Sequence, residues 1–224
     1  MSKTVPLEYG NYYHIYNRGN NSETIFSSDS GFQHFLGLYR RYITPVADTF
    51  AWALMSNHFH FFLRIKAEED IGFLPPSSKV TEGNKWDTIS YDEVVKLGLP
   101  EKKIKKPNPS RQFSHMFNAY AKYYNVIHQR TGSLFEKSFE RILVDTESYK
   151  KHMVYYVHHN PIHHGVVKDY VDYKWTSYSD FINNKKTFVM KDEVIDWFYD
   201  LDNFIFFHQE EHELFGLRSA AEDC

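Results

Sequence analysis

Residues Thr49–Ile65 read TFAWALMSNHFHFFLRI and form the most strand-like segment of the chain. Both halves are rich in aromatic and aliphatic residues, which favour β-strands. Ser56-Asn57 between them supplies a short polar turn. The stretch therefore predicts a β-hairpin whose strands cover residues 49–55 and 58–65.

Further elements are predicted on both sides of this hairpin. A strand is expected over 11–18, helices over 29–43 and 113–127, a strand over 139–144, and a helix over 146–159 that ends before Pro161. This order, β-α-β-β-α-β followed by a helix, predicts an α+β fold. The expected architecture is a ferredoxin-like antiparallel sheet with helices on one face.

The chain is predicted to have two parts. Residues 1–175 form the main domain, which contains a polar, proline-containing insertion over 66–110 with a short helix near 91–97. Residues 176–224 form an acidic C-terminal appendage. Its short helices are expected over 178–183, 192–199 and 203–215.

The composition is that of a water-soluble globular protein, with 42% hydrophobic and 25% charged residues among 224. No stretch approaches the roughly 20 consecutive apolar residues of a membrane helix, so no membrane partner is expected. The first residues lack the apolar core of a secretion signal. The single cysteine, Cys224, excludes an intramolecular disulfide and fits a reducing compartment, which predicts a cytoplasmic location.

Charge is distributed unevenly along the chain. Residues 96–130 contain eight lysines or arginines and one acid, whereas residues 180–224 contain eleven acids and four basic residues. A basic stretch beside an acidic tail favours a polyanionic partner. The lysine run at 102–106 is by itself typical of a solvated loop.

His58 and His60 are the first candidates for chemistry. Side chains alternate along a strand, so both imidazoles are predicted on one face and Phe59 on the other, in the core. Two such imidazoles can share a divalent ion, although a His-x-His in a strand is more often ordinary polar surface. Because a histidine must be neutral to bind metal, binding is expected to weaken below about pH 6.

The predicted helix around VYYVHHNP supplies the second group of candidates. Tyr156 and Asn160 are spaced i, i+4 and so share a helical face. A phenolate is a workable nucleophile when a metal or base assists it. An amide oxygen with imidazoles makes an O/N ligand set that suits Mg²⁺ or Mn²⁺. Tyr155 and His159 have the same spacing, so spacing does not choose between the pairs, and packing of both tyrosines in the core is a third interpretation.

Five segments resemble the single-tyrosine HUH transposases, most closely their REP-associated branch. They are YHIYNRGNN, MSNHFHFFL, RTGSLFEKSFERILV, YYVHHNPIHHGVV and YKWTSYSDFI. The resemblance covers roughly residues 9–185 apart from the insertion. It implies that His58 and His60 bind a divalent metal, Mg²⁺ or Mn²⁺, with Asn160 as a third ligand. It implies that Tyr156 is the nucleophile and that the fold is the same ferredoxin-like sheet.

The chemistry that the resemblance implies is cleavage and joining of single-stranded DNA beside hairpins, through a 5′-phosphotyrosine. Lysine and arginine side chains suit contacts to such a strand, and the candidates are Arg18, Arg111, Lys122 and Arg130. Related enzymes work as monomers or pair their active sites in a homodimer, and the sequence leaves both states open.

Two other functions stay open at this point. One is a hairpin-binding protein that no longer transposes. The other is a metal-dependent hydrolase of a small molecule, which would need no basic groove and would form no covalent adduct with DNA.

Overall fold

A computed structural model describes residues 6–74, 88–100, 104–136, 138–183 and 186–222, with side chains up to residue 211. Parts of the predicted insertion (75–87 and 101–103) and Cys224 lie outside the described residues.

Within these residues the chain forms four strands and seven α-helices. The strands are β1 (Tyr12–Arg18), β2 (Ala47–Leu54), β3 (His58–Ile65) and β4 (Glu140–Val144). The helices are α1 (Asp29–Tyr42), α2 (Tyr91–Lys96), α3 (Pro109–Ile127), α4 (Glu147–His163), α5 (Tyr178–Ile182), α6 (Lys191–Trp197) and α7 (Leu201–Glu222). In the part of the chain that the structure describes, no helix has the length and apolarity needed to span a bilayer.

The strands form one antiparallel sheet in the order β2-β3-β1-β4. Helix α1 connects β1 to β2, the tight turn at Ser56-Asn57 connects β2 to β3, and α3 precedes β4. The predicted α+β fold and its ferredoxin-like sheet are therefore confirmed. In the register of the two central strands, Tyr16 of β1 lies opposite His60 of β3.

The two connecting helices α1 and α3 pack on one face of the sheet, where an aromatic core forms. Phe59 and Phe61 of β3 point to this face and are buried. The ring of Phe35 from α1 lies 5.0 Å from that of Phe59, and Tyr39 stacks on Phe61 at 4.0 Å. Phe117 of α3 lies 5.6 Å from Phe59. Each such buried ring contributes about 1.5–3 kcal/mol, so this layer is a major source of stability.

Helix α4 covers the opposite face. His60 precedes Phe61 in β3 and therefore points away from α1 and α3. The ring of Tyr156 from α4 lies 5.8 Å from that of His60. The sheet thus carries the two connecting helices on one face, as predicted, and a third helix layer on the other.

The prediction that this helix ends before Pro161 is wrong, because α4 continues past the proline by two residues. A proline this close to the C-terminus removes only one helical hydrogen bond. The helix ends at His163 and is terminated by Gly165, whose φ of 65° is left-handed. Its N–H donates to the Ile162 carbonyl at 2.8 Å, and Val166 N–H donates to the Pro161 carbonyl at 2.9 Å. Asn160 consequently lies within the helix.

The segments outside the sheet follow the predicted pattern. The short helix expected near 91–97 is α2, which begins with a capping box formed by Ser90 and Glu93. Helices α5, α6 and α7 match the three expected in the C-terminal part, and α7 continues to residue 222. The division of the chain at residue 175 stays a prediction.

A buried chain of hydrogen bonds joins α7, α4 and β2. His208 donates through Nδ1 to the Phe204 carbonyl at 2.8 Å, so its Nε2 accepts from Nδ1 of His158 at 3.0 Å. Nε2 of His158 then accepts from the Ser177 hydroxyl at 2.8 Å, and that hydroxyl accepts from the Trp52 N–H at 2.9 Å. This direction requires both imidazoles to be neutral, and burial lowers the pKa of His208 to about 4.

Candidate active site

A cavity of about 740 Å³ opens where β3 begins, between β1, β3 and α4. His58 and His60 of β3 and Tyr156 and Asn160 of α4 line it, together with Arg18 at the end of β1. The structure therefore brings the predicted metal ligands and the predicted nucleophile to one cavity, with one of the four predicted DNA contacts.

Tyr156 lines this cavity and remains accessible to solvent. Its side chain is on the face of α4 that covers the sheet, but the residue is still 45% exposed. Its ring is perpendicular to the rings of His60 and His14, with centroids 5.8 and 5.5 Å away. A partly exposed phenol beside buried imidazoles can be reached by a polymeric substrate.

The alternative pair, Tyr155 and His159, points in another direction. The two rings stack with centroids 5.0 Å apart and are buried. Tyr155 also packs 5.8 Å from His208 of α7, and burial raises the pKa of Tyr155 to about 12. This pair lies against the C-terminal helix rather than beside His58 and His60.

The turn before β3 fixes the orientation of His58. Its Nδ1 lies 2.6 Å from Oδ1 of Asn57. An amide oxygen can only accept a hydrogen bond, so Nδ1 of His58 carries the proton and Nε2 keeps its lone pair. A histidine oriented in this way by a neighbouring oxygen is prepared for metal binding.

The second histidine of the pair is held by a third one. Nδ1 of His60 lies 2.8 Å from Nε2 of His14 on β1, and both rings are buried. Burial, with His14 and His58 nearby, holds the pKa of His60 well below its usual value, and burial lowers that of His14 to about 4. Both rings are therefore neutral, and when Nδ1 of His60 donates, its Nε2 is free to bind a metal.

Asn160 is buried and has one free acceptor. Its side-chain N–H donates to the Tyr156 carbonyl at 2.9 Å, one turn earlier in α4. The amide nitrogen is thereby occupied within the helix, which leaves Oδ1 for a ligand. The helical position of Asn160 keeps this oxygen on the same face as Tyr156.

The donor set fits a divalent ion of intermediate hardness, since it combines two imidazole nitrogens with an amide oxygen. Within the described ranges, no group of three His, Cys, Asp or Glu side chains is arranged to hold a metal. The candidate set of His58 and His60 therefore depends on Asn160 for its third ligand, and solvent or substrate oxygens would complete it.

Metal binding is expected to persist at lower pH than the sequence predicts. Burial, His164 and Arg18 lower the pKa of His58 to about 4. A lowered pKa keeps the imidazole neutral down to that pH, so Mn²⁺ affinity should stay level below neutrality and fall as the pH approaches about 4. Calorimetric titration with Mn²⁺ across this range tests the expectation. A decline already near pH 6.5, where an ordinary histidine titrates, would contradict it.

Sequence reasoning missed several residues that line this cavity or lie directly behind it. His14 shares a face of β1 with Tyr16, so the alternating pattern of that strand contained a signal for it. His164 repeats the i, i+4 spacing after Asn160, and its ring lies 4.7 Å from that of His58. The remaining cavity residues with charged side chains are Glu136 and Glu140.

The other predicted DNA contacts lie elsewhere. Arg18 forms an ion pair with Glu136 at the cavity. Lys122 and Arg130 line a separate, open cavity of about 530 Å³ near the end of α3, and Arg111 is exposed in the first turn of that helix. Helix α3 packs on the face opposite α4. These three residues are therefore not brought to the Tyr156 cavity, and their contact with DNA stays a prediction.

This chain is similar to a known protein in its fold, but it matches no known family by sequence. No family model and no curated protein sequence matches the chain. Among solved structures, the chain is similar to a REP-associated tyrosine transposase bound to a REP hairpin. The TM-score is 0.50 and the identity 13%, over 84% of this chain and 90% of that one. At this identity the similarity shows a shared α+β fold.

Proposed function

We propose that the chain is a single-tyrosine HUH transposase of the REP-associated type. It cleaves and joins single-stranded DNA at sites beside hairpins, through a 5′-phosphotyrosine intermediate, with Mg²⁺ or Mn²⁺ as cofactor. The observation that carries the proposal is the convergence of His58, His60, Tyr156 and Asn160 on one cavity. The sequence resemblance and the shared fold with a hairpin-bound transposase support it.

In this mechanism the chain holds the metal and presents the nucleophile. His58 and His60, oriented by Asn57 and His14, would hold the metal through Nε2, and Asn160 would hold it through Oδ1. When bound, a divalent ion would polarise the scissile phosphate and stabilise the charge that develops there. The protein keeps its imidazoles neutral for this task by burying them.

Tyr156 carries the covalent step. Its phenolic oxygen loses its proton and attacks phosphorus, while the bond from phosphorus to the 3′ oxygen breaks and that oxygen takes up a proton. The products are a 5′-phosphotyrosine and a free 3′-OH. A second 3′-OH then attacks the phosphotyrosine and releases Tyr156, so no nucleotide cofactor is consumed. The partial exposure of Tyr156 allows both strands to reach it.

The proposal predicts a covalent adduct. The full chain, incubated with a library of single-stranded hairpin oligonucleotides and Mn²⁺, should give a protein band that carries DNA after denaturation. Addition of EDTA before the oligonucleotides should prevent it. No adduct with any member of the library, or an adduct that forms equally well in EDTA, would contradict the proposed chemistry.

A hairpin-binding protein without transposase activity is the second candidate. The fold shared with a hairpin-bound protein is equally compatible with it. The complete set of ligands and nucleophile favours chemistry, since binding alone requires none of them. The same incubation distinguishes the two functions, because the second candidate would retain hairpins in a native gel and give no covalent band.

A further inference from the structure

A second cavity, of about 420 Å³, lies on the other side of Tyr156, between β4 and the first half of α4. It shares Tyr16, His60 and Tyr156 with the first cavity, so these rings form a common wall. The remaining lining consists of His14, Ile142, Tyr149, His152 and Met153.

The wall of this second cavity is built from flat rings. His14 stacks on Tyr16 with centroids 4.9 Å apart and an angle of 26° between planes. It also stacks on His60 at 5.0 Å and 13°. Tyr156 meets these rings edge-on. The cavity therefore offers several ring surfaces beside the candidate nucleophile.

The chemistry of the second cavity differs from that of the first. Arg18, Glu136 and Glu140 line the first cavity, whereas none of the described residues that line the second is Lys, Arg, Asp or Glu. His14 is buried. No lysine or arginine of the lining could pair with a phosphate there, but an uncharged planar group would find rings on which to stack.

Strand β4 leaves an apolar side chain uncovered at this cavity. Ile142 lies opposite His14 in the register and so shares its face, and it is 41% exposed. Leu143, the next residue, lies opposite Tyr13 on the other face and is 40% exposed. Ile142 and Leu143 are therefore equally exposed, but of these two only Ile142 lines the cavity.

We propose that this ring-lined cavity receives an unpaired base of the DNA strand, next to the phosphate that Tyr156 attacks. The inference rests on the proposed function. A nucleotide joins a charged phosphate to a flat, uncharged base through one sugar. Two adjacent cavities, one polar and one ring-lined, match those two halves. Stacking of a base on protein rings typically changes affinity by roughly tenfold or more.

Photo-crosslinking tests the assignment. The full chain is bound to a randomised single-stranded DNA pool in which 4-thiothymidine replaces thymidine, then irradiated, and the cross-linked residues are mapped by mass spectrometry. Cross-links are expected on Tyr149, which lines the second cavity and not the first. Ile142→Trp fills the cavity and should reduce their yield about tenfold. Leu143→Trp adds the same ring on the other face and should leave the yield unchanged.

Cross-links confined to other surfaces, or an equal loss in both tryptophan variants, would overturn the inference. The wild-type map is decisive even if Ile142→Trp fails to fold. Adduct formation with unmodified hairpins in Mn²⁺ is measured in parallel. An adduct without cross-links at the cavity would remove this inference and keep the proposed function. Cross-links at the cavity without any adduct would support the base site and remove the proposed cleavage chemistry. Absence of DNA binding would overturn both the base site and the proposed function.

Discussion

Tyr156→Phe is expected to abolish the covalent adduct and strand cleavage while leaving hairpin affinity unchanged. The substitution keeps the ring and its edge-on contacts with His14 and His60, but it deletes the attacking oxygen. Loss of a covalent nucleophile lowers turnover by about 10⁶-fold in a well-studied protease, so activity should fall below detection. Denaturing gels measure the adduct, and fluorescence anisotropy with a labelled hairpin measures binding.

Tyr155→Phe is the matched control, because it removes the same oxygen from the adjacent residue of the same helix. Tyr155 packs against α7, so this variant should keep cleavage, adduct and binding. Mass spectrometry of the trapped peptide identifies the modified residue directly. An adduct on Tyr155, or one that survives in Tyr156→Phe, would nominate His159 in place of Asn160 as the third ligand.

His58→Ala and His60→Ala should each abolish metal-dependent cleavage, but they should differ in their effect on stability. His58 is half-buried, so its loss should change the free energy of unfolding by less than about 1 kcal/mol. His60 is buried and bonded to His14. Its loss leaves a buried imidazole without that partner, which costs about 1–3 kcal/mol. Calorimetric Mn²⁺ titration and denaturant unfolding separate the two effects.

His34→Ala provides the control for this pair. His34 lies on α1, on the opposite side of the sheet, and stacks on Tyr123 at 3.8 Å. Its removal should leave Mn²⁺ affinity and cleavage intact. Undiminished Mn²⁺ affinity in His58→Ala would refute the metal role of that histidine, whatever happens to its stability.

The central sheet could be predicted from local patterns. Alternation in the hairpin put Phe59 in the core and His58 and His60 on the other face, and the structure confirms both features. The i, i+4 spacing in the helix put Tyr156 and Asn160 on one face, and both residues line the first cavity. These predictions succeed because strand and helix periodicity are properties of the backbone.

Other features depend on contacts between distant segments. The burial of His60 results from the docking of α4 over the sheet, and its hydrogen bond to His14 results from strand register. The orientation of the Tyr155 side chain depends on its contact with α7, a helix that begins only at Leu201. The continuation of α4 past Pro161 depends on the cap at Gly165. Local periodicity does not encode these contacts.

The hydrogen-bond chain from His208 through His158 to Ser177 has a consequence for any minimal version of this protein. A chain cut after residue 175 would lose both hydrogen-bond partners of His158 and the rings of Tyr178, Phe181 and Phe204 that bury it. Each such buried ring contributes about 1.5–3 kcal/mol, which is a large share of the roughly 5–15 kcal/mol that stabilises a typical domain. The acidic C-terminal appendage therefore stabilises α4, the helix that presents Tyr156. The smallest working unit extends at least through His208.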